Sequence, residues 1–178
     1  LSSGPQGLSA LSFDAEDDVL ILKDRNLPLD SFSLSFWFRA PPSETERYEY
    51  IWSHGTYAYR NSLNIYLTLT GRIRTALRGE NDDWTNSALD VVADFRDDAW
   101  HHYMLTVDSL SPVAAVFVDG TLRAEAPLGL GGLNPSFHLH LGGRNDLHPN
   151  RHFRGDLSDI RIYSSALSES DVWGLFGG

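Results

Sequence analysis

Several short segments of the chain alternate between polar and apolar residues, which is the pattern of a half-buried β-strand. Residues 31–38 alternate in this way, and residues 64–69 do so again before they reach Thr70-Gly71. Residues 72–78 resume the alternation directly after that turn. The last two segments therefore predict a hairpin.

A second hairpin is predicted further along the chain. Residues 100–107 have the pattern of one strand, and residues 114–118 and 121–124 have the pattern of two more, joined by Asp119-Gly120. Asp-Gly between strands is a strong hairpin signal, because both central residues of the favoured turn need a positive φ.

The last part of the chain alternates again at 137–141 and 159–163 and then changes its period. Ser168 has the features of a helix N-cap with Asp171 as its capping-box partner, and the apolar residues that follow fall at helical spacing. Many short strands and a single short helix predict an all-β fold, a two-sheet antiparallel jelly-roll sandwich with one short C-terminal helix.

Length and composition fit a single domain. The chain has 178 residues, of which 42% are hydrophobic, and this is enough for one sizeable core. We expect a flexible lead-in at residues 1–7 and one domain at residues 8–178. The net charge of −10 disfavours nucleic acid as a partner. No stretch approaches the roughly 20 apolar residues of a membrane span, so direct membrane insertion is not expected.

Five segments, taken in order, resemble those of a known family. They are 11–19 (LSFDAEDDV), 32–38 (FSLSFWF), 100–108 (WHHYMLTVD), 116–120 (VFVDG) and 153–168 (FRGDLSDIRIYSSALS). Over residues 8–176 the chain is similar to the laminin G-like and pentraxin group of the concanavalin A-like jelly rolls. The chain has no cysteine, so the pentraxin cysteine pair is absent, which favours the laminin G-like group. Ala15 stands where the family's opening motif usually has glycine.

The resemblance implies a recognition domain, because such domains bind carbohydrate or protein ligands, serve in cell adhesion or act as spacers. It also implies an extracellular or cell-surface location within a larger multidomain chain, which agrees with a sequence that starts at Leu1. The first hypothesis is a non-catalytic module that binds a glycan or an extracellular protein ligand through rim loops. The second is a structural or adhesion domain that makes protein–protein contacts, and the third is a glycan-cleaving enzyme.

The sequence disfavours the enzyme hypothesis. Relatives that hydrolyse glycans carry paired carboxylates on one strand in a Glu-x-Asp-x-x-Glu pattern, because two acids must flank the scissile bond. That pattern is absent here, and the carboxylates expected on strands are Asp90 and Asp159. We therefore expect no catalytic residues.

The histidines are interpreted mainly as structural. His101 and His102 are adjacent on a strand, so their rings point to opposite faces and cannot easily share a metal. His138 and His140 share a face, and a zinc site there is one alternative to a solvent-facing polar strand.

A structural calcium ion is the cofactor that the resemblance implies. Asp14 or a neighbour in the acidic run 14–18, the carbonyl of Gly155, and Asp159 would supply its oxygen ligands. The alternative is that residues 14–18 form a solvated turn and that Asp159 pairs with Arg161.

The ligand-binding residues are sought among aromatic and polar side chains, because a sugar ring presents an apolar face and a set of hydroxyls. Alternation places Tyr48, Tyr50, Trp52 and His54 on one side of a strand, which is either a ligand face or part of the core. The other tryptophans, Trp37, Trp100 and Trp173, are assigned to the core. The candidate contact residues are Trp52, His54, Tyr57, Tyr59, Trp84, Arg144 and Asn145.

Overall fold

A computed structural model describes residues 2–23, 31–43, 47–55, 62–79, 88–129 and 138–177. These residues contain thirteen strands and one α-helix. In chain order the elements are β1 (Ser2–Ser3), β2 (Ser9–Asp14), β3 (Leu20–Leu22), β4 (Phe32–Arg39), β5 (Glu49–His54), β6 (Ser62–Leu67), β7 (Ile73–Arg78), β8 (Leu89–Val91), β9 (Trp100–Asp108), β10 (Val113–Val118), β11 (Thr121–Pro127), β12 (Leu139–Leu141), β13 (Arg154–Tyr163) and α1 (Glu169–Gly177).

The strands form two sheets. The first has the order β1-β2-β13-β4-β9-β10-β11, and the second has the order β3-β12-β5-β6-β7-β8. Neighbouring strands in the ladders are antiparallel, as in the β4–β9 and β6–β7 pairs. The predicted jelly-roll sandwich is therefore confirmed. Among the described residues, no helix is long and apolar enough to cross a membrane.

Both predicted hairpins are present. β6 and β7 pair across the turn that contains Gly71, and the backbone N–H of Gly71 donates to the carbonyl of Thr68 at 3.0 Å. β10 and β11 pair across Asp119 and Gly120, whose φ angles are 53° and 70°. These positive angles are those that the Asp-Gly sequence favours.

The core lies between the sheets and is rich in aromatic side chains. Phe36 of β4 stacks on Tyr103 of β9 at a centroid distance of 4.9 Å and faces Trp52 of β5 at 6.5 Å. The hydroxyls of Tyr103 and Thr75 lie 2.6 Å apart and satisfy each other inside the core. One cluster thus joins the inner faces of both sheets.

A bulge in β5 changes which face its aromatic residues occupy. Tyr50 pairs with Tyr66, but the next paired residue, Trp52, lies opposite Ile65, so Ile51 is an extra residue in the strand. Trp52 is fully buried in the core, whereas Tyr50 is half-buried on the outer face. The predicted alternation, which placed both residues on one face, is wrong for this reason.

Helix α1 packs on the outer face of the seven-stranded sheet. Ser168 and Asp171 form the predicted capping box, in which the backbone N–H of Ser168 donates to Asp171 Oδ2 at 2.9 Å. Val172 is fully buried, and Phe176 stacks on Trp37 at 5.9 Å. Trp173 is 54% exposed, so its assignment to the core is wrong.

Candidate functional site

The outer face of the six-stranded sheet carries a row of polar and aromatic side chains. The strand register aligns Tyr50, Tyr66, Arg74 and Asp90 across β5, β6, β7 and β8. The neighbours of Tyr66 along β6, such as Leu67, point into the core, because successive residues of a strand face opposite ways. The sequence alternation thus exposes this row on the outer face.

Three tyrosines form an aromatic surface at one end of the row. Tyr50 and Tyr66 stack at 4.6 Å with an angle of 14° between their rings, and Tyr48 meets Tyr66 edge-on at 5.8 Å. Burial raises the pKa of Tyr50, although the Arg144 guanidinium opposes this, and burial also raises the pKa of Tyr66. Both phenols therefore keep their protons at neutral pH and can donate hydrogen bonds.

The segment after β12 brings two guanidinium groups onto this surface. The Cζ of Arg144 lies 5.7 Å from the ring centroid of Tyr50, and the Cζ of Arg151 lies 4.8 Å from that of Tyr48. Arg144 donates to both oxygens of Asp146 at 2.7 Å, so its guanidinium plane is fixed.

Asn145 is fixed to the end of β5. Its backbone N–H donates to Ser53 Oγ at 3.2 Å, and its side-chain amide donates to the carbonyl of Gly55. Ser53 in turn donates to Asn64 Oδ1 at 2.8 Å. The segment after β12 and the outer face of the six-stranded sheet thus form one hydrogen-bonded unit.

These groups line a cleft of about 280 Å³, which we call the tyrosine–arginine cleft. Its lining residues are Tyr50, Ser62, Asn64, Tyr66, Ala76, Arg78, Arg144, Asn145 and Arg151. Two buried polar atoms of this lining, Asn145 Oδ1 and Arg151 Nε, have no hydrogen-bond partner within the described part of the chain. The cleft therefore combines aromatic rings with donors and acceptors, which is the composition that a polyhydroxylated ring requires.

The predicted contact residues divide into three groups. Arg144 and Asn145 lie in the cleft. Trp52 and His54 do not line it, because they are 0% and 1% exposed on the inner side of the bulged strand. Tyr57, Tyr59 and Trp84 lie outside the described residues, and their roles stay predictions.

Several lining residues were missed from the sequence. Asn64 and Tyr66 sit at the polar positions of the alternating segment 64–69, so that pattern could have identified them as outward-facing. Arg78 stands at a polar position of the alternating segment 72–78, so the same pattern could have identified it, whereas Arg151 carried no local signal.

The expected calcium ligands are partly brought together. Asp14 pairs with Arg154 in the β2–β13 ladder, so Gly155 lies next to that pair. Gly155 has a φ of +148°, and a Cβ there would lie 2.1 Å from the carbonyl oxygen of Arg39, so only glycine fits.

Asp159 lies at the other end of the same ladder, just beyond the pair Ser158–Ala10. Its carboxylate accepts from Arg161 Nε at 2.7 Å, which is the alternative considered from the sequence. Asp159 and Asp14 therefore do not form one ligand group.

Asp14 instead has two acidic neighbours in its own turn. One oxygen from each of Asp14, Asp17 and Asp18 lies within 4.8 Å of the others, and all three residues are exposed. The backbone N–H of Asp14 donates to Asp18 Oδ2 at 3.1 Å, which holds the turn closed. Three carboxylates at this spacing fit a hard cation with oxygen ligands.

The carboxylates expected on strands are held by arginines. Asp90 accepts two hydrogen bonds of 2.6 Å from Arg74, and Asp159 is bound by Arg161. The structure adds buried strand carboxylates that the sequence patterns did not single out, such as Asp156. Burial disfavours the ionised form of Asp156, but hydrogen bonds from Ser12 and Ser2 and the guanidinium of Arg39 lower its pKa.

His101 and His102, which are adjacent on β9, lie in different environments, as their adjacency predicted. His101 contacts Asp119 at 2.8 Å and Asp97 at 3.2 Å, and the hydrogen bond to Asp119 raises its pKa. His102 packs on the other side against Trp37, and burial lowers its pKa. His140 is buried and contacts the carbonyl of His138 at 3.3 Å, and no described metal-ligand cluster contains either residue.

Comparison with known proteins identifies the fold. A family model described as the concanavalin A-like lectin/glucanases superfamily matches residues 14–173. No curated protein matches the chain by sequence. The native heptameric SAP-like pentraxin from Limulus polyphemus is similar in structure, with a TM-score of 0.65 and 15% identity over 94% of this chain and 81% of the pentraxin.

Two toxin domains are also similar in structure. The binding domain of Paraclostridial Mosquitocidal Protein 1 has a TM-score of 0.72 and 17% identity over 98% of this chain and 44% of its own. The botulinum neurotoxin serotype D ligand binding domain, solved with N-acetylneuraminic acid, has a TM-score of 0.72 and 15% identity over 95% and 42%. This chain spans less than half of either toxin domain, and at these identities the likeness establishes the fold alone.

Proposed function

The chain belongs to the concanavalin A-like lectin/glucanases superfamily, and we propose that it is a non-catalytic recognition module that binds a glycan in the tyrosine–arginine cleft. The observation that carries the proposal is the stacked pair Tyr50–Tyr66 beside the guanidinium of Arg144. An aromatic surface can pack against the C–H face of a sugar ring, and the surrounding amide and guanidinium groups can bind its hydroxyls.

The comparisons support a binding role. Among the similar structures are domains described as binding domains, one of them solved with N-acetylneuraminic acid. Asp90 and Asp159, the two strand carboxylates expected from the sequence, are each bound by an arginine, which is a poor arrangement for a general acid. Both findings favour recognition over cleavage.

The test is binding of the intact chain to an array of neutral and acidic glycans, followed by calorimetry with the best ligands. Tyr66→Ala should weaken binding at least about tenfold, because it removes the stacked ring and a phenol donor. Trp173→Ala is the matched control, since Trp173 is an exposed aromatic residue outside the cleft lining. Glycan binding that Tyr66→Ala leaves intact would contradict this location, and release of smaller sugars would revive the enzyme hypothesis.

We further propose a structural calcium ion at the turn of Asp14, Asp17 and Asp18. Asp159 is left out of this ligand set because of its position in the ladder. Calcium should raise the melting temperature of the wild-type chain and should not raise that of Asp17→Asn with Asp18→Asn. An unchanged melting temperature in calcium and in chelator would refute the ion site without affecting the glycan proposal.

An extracellular or cell-surface setting, as part of a larger multidomain chain, belongs to the same proposal. The alternative is an adhesion domain that contacts protein, and the exposed Trp173 on α1 favours it, because tryptophan is common at the centre of protein interfaces. Absence of glycan binding, together with capture of an extracellular protein that Trp173→Ala abolishes, would support this alternative.

A further inference from the structure

The segment between β8 and β9, residues 92–99, joins the six-stranded sheet to the seven-stranded sheet. Its middle is anchored in the interior, because Phe95 and Arg96 are buried and the Arg96 guanidinium donates to three backbone carbonyls. Residues 97–99, which we call the connecting turn, are exposed. The backbone N–H of Asp98 donates to the carbonyl of the residue after β4 at 3.0 Å. The further contact between this turn and β9 is made by a side chain, that of Asp97.

A histidine ring of β9 links the connecting turn to the turn between β10 and β11. His101 Nδ1 lies 2.8 Å from Asp119 Oδ2, and His101 Nε2 lies 3.2 Å from both carboxylate oxygens of Asp97. The ring also packs against Phe38 and Phe95, with centroid distances of 5.6 and 5.0 Å, and this packing restricts its orientation. Each ring nitrogen therefore faces a carboxylate.

The protonation state of His101 determines whether both contacts can be hydrogen bonds. An ionised carboxylate only accepts, whereas a neutral imidazole has one N–H donor and an imidazolium has two. A neutral ring therefore directs a lone pair at one of its carboxylates. The contact with Asp119 is the shorter one, and the backbone N–H of His102 also holds Asp119 at 2.9 Å. The Asp97 side chain is 49% exposed, against 31% for Asp119, so Asp97 can move into water at the lower cost.

Other charged groups surround this arrangement. His101 lines a cavity of about 450 Å³, whose other charged lining residues are Asp90, Asp94, Asp97, Asp119 and Arg123. Asp90 is bound by Arg74, and Asp94 accepts from a backbone N–H. On the connecting turn itself, Asp98 lies 3.9 Å from Arg39 of β4. Among the described lining residues His101 is the one histidine, so it is the group whose charge changes near neutral pH.

The two carboxylates that face the ring stay ionised over this range. Burial disfavours the ionised forms of Asp97 and Asp119, but hydrogen bonds from His101 and from backbone N–H groups lower the pKa of both. Loss of the proton from His101 therefore leaves two acceptors around a ring with a single donor.

We propose that His101 is a pH-sensitive switch of the connecting turn: the protonated ring binds Asp97 and Asp119 together, and the neutral ring keeps Asp119 and releases Asp97. The hydrogen bond to Asp119 raises the pKa of His101 above 6.5, so release occurs as the pH rises through that raised value. Release takes Asp97 away from the wall of the cavity. None of these residues is in the described lining of the tyrosine–arginine cleft, so the proposal is independent of glycan binding.

Carbon-detected NMR of the intact, isotope-labelled chain between pH 5 and 9 tests the switch, because it does not depend on exchanging amide protons. The carboxyl carbon of Asp97 should shift with the same midpoint as the ring of His101, above about pH 6.5. Ala99 lies in the connecting turn, and relaxation of its methyl group should show greater mobility above that midpoint. The methyl group of Ala114, which is buried in β10, is the internal reference.

Variants of the two partners locate the effect. His101→Gln should remove both pH-dependent changes. Asp97→Asn is the matched variant, because an amide has both a donor and an acceptor and can pair with either protonation state of the ring. It also keeps an acceptor for the N–H of Ala99, and the Ala99 methyl should then have equal mobility at both ends of the pH range. His138→Gln, at an exposed histidine just before β12, is the control and should respond as the wild type does.

Two results would overturn the proposal. One is titration of His101 without any response of the Asp97 carboxyl carbon or the Ala99 methyl group. The other is a response that persists in His101→Gln or Asp97→Asn, with thermal melting confirming that each variant is folded. A response that both variants abolish and His138→Gln retains would support it.

Discussion

The two sheets bury their inner faces in one core, but their outer faces differ. On the seven-stranded sheet, α1 covers Trp37 and His102, and its residue Phe176 contacts both rings. On the six-stranded sheet, Tyr50 and Tyr66 are half-buried at an open cleft. The described chain thus uses one outer face to dock its own helix and leaves the other accessible.

The difference shows what distinguishes a packed face from a candidate binding face. On the packed face, burial lowers the pKa of His102, and the ring serves as an apolar surface for its neighbours. On the open face, Arg144 and Asn145 are held by side-chain and backbone partners but still line a cleft. A polar group can serve recognition when its neighbours orient it without covering it.

The largest effect is expected when a residue on the inner face of β5 is replaced and compared with one on its outer face. Trp52→Ala should destabilise the protein by about 3–5 kcal/mol, because a fully buried indole is removed from the core. Tyr50→Ala, two residues away on the outer face, should cost much less stability and should weaken glycan binding. Chemical denaturation and calorimetry on both variants measure this contrast, and a stable Trp52→Ala variant that fails to bind sugar would contradict it.

A smaller effect is expected at the covered face. Phe176→Ala should destabilise the protein by about 1–2 kcal/mol, because the ring is only partly buried where it stacks on Trp37. Glycan affinity should stay at the wild-type value, because α1 lies on the other sheet. A loss of affinity in the folded variant would mean that the two outer faces are coupled.

The smallest effect concerns the ion pairs of His101. The hydrogen bond with Asp119 raises the pKa of His101 above its ordinary value of 6.5. Its contribution to stability is therefore complete below about pH 6.5 and is lost as the pH rises through the raised pKa.

His101→Gln should remove this pH dependence, with a cost below pH 6.5 of no more than about 1.5 kcal/mol. Urea denaturation at a series of pH values between 5 and 9 measures both quantities. His102→Gln serves as the comparison, and an unchanged pH slope in His101→Gln would show that the pairs with Asp119 and Asp97 contribute nothing.

The sequence predicted the sandwich well and the candidate site only in part. Period-two segments such as 64–69 determined which residues face the core, because a strand has only two faces. The bulge at Ile51 has no counterpart in that pattern, and it places Trp52 and His54 on the inner face, away from Tyr50 on the outer face. Arg144 and Asn145 were found because a polar loop segment is visible in the sequence.

What the sequence determined by itself is therefore the local part of the structure: the strands, the turn at Asp119-Gly120, the cap at Ser168 and the acidic turn at Asp14. Each of these depends on residues close together in the chain. The tyrosine–arginine cleft was decided only by the tertiary structure, since Tyr50, Arg78 and Arg151 are far apart in sequence. The register of the sheet and the packing of the segment after β12 bring them together, and neither can be read from local periodicity.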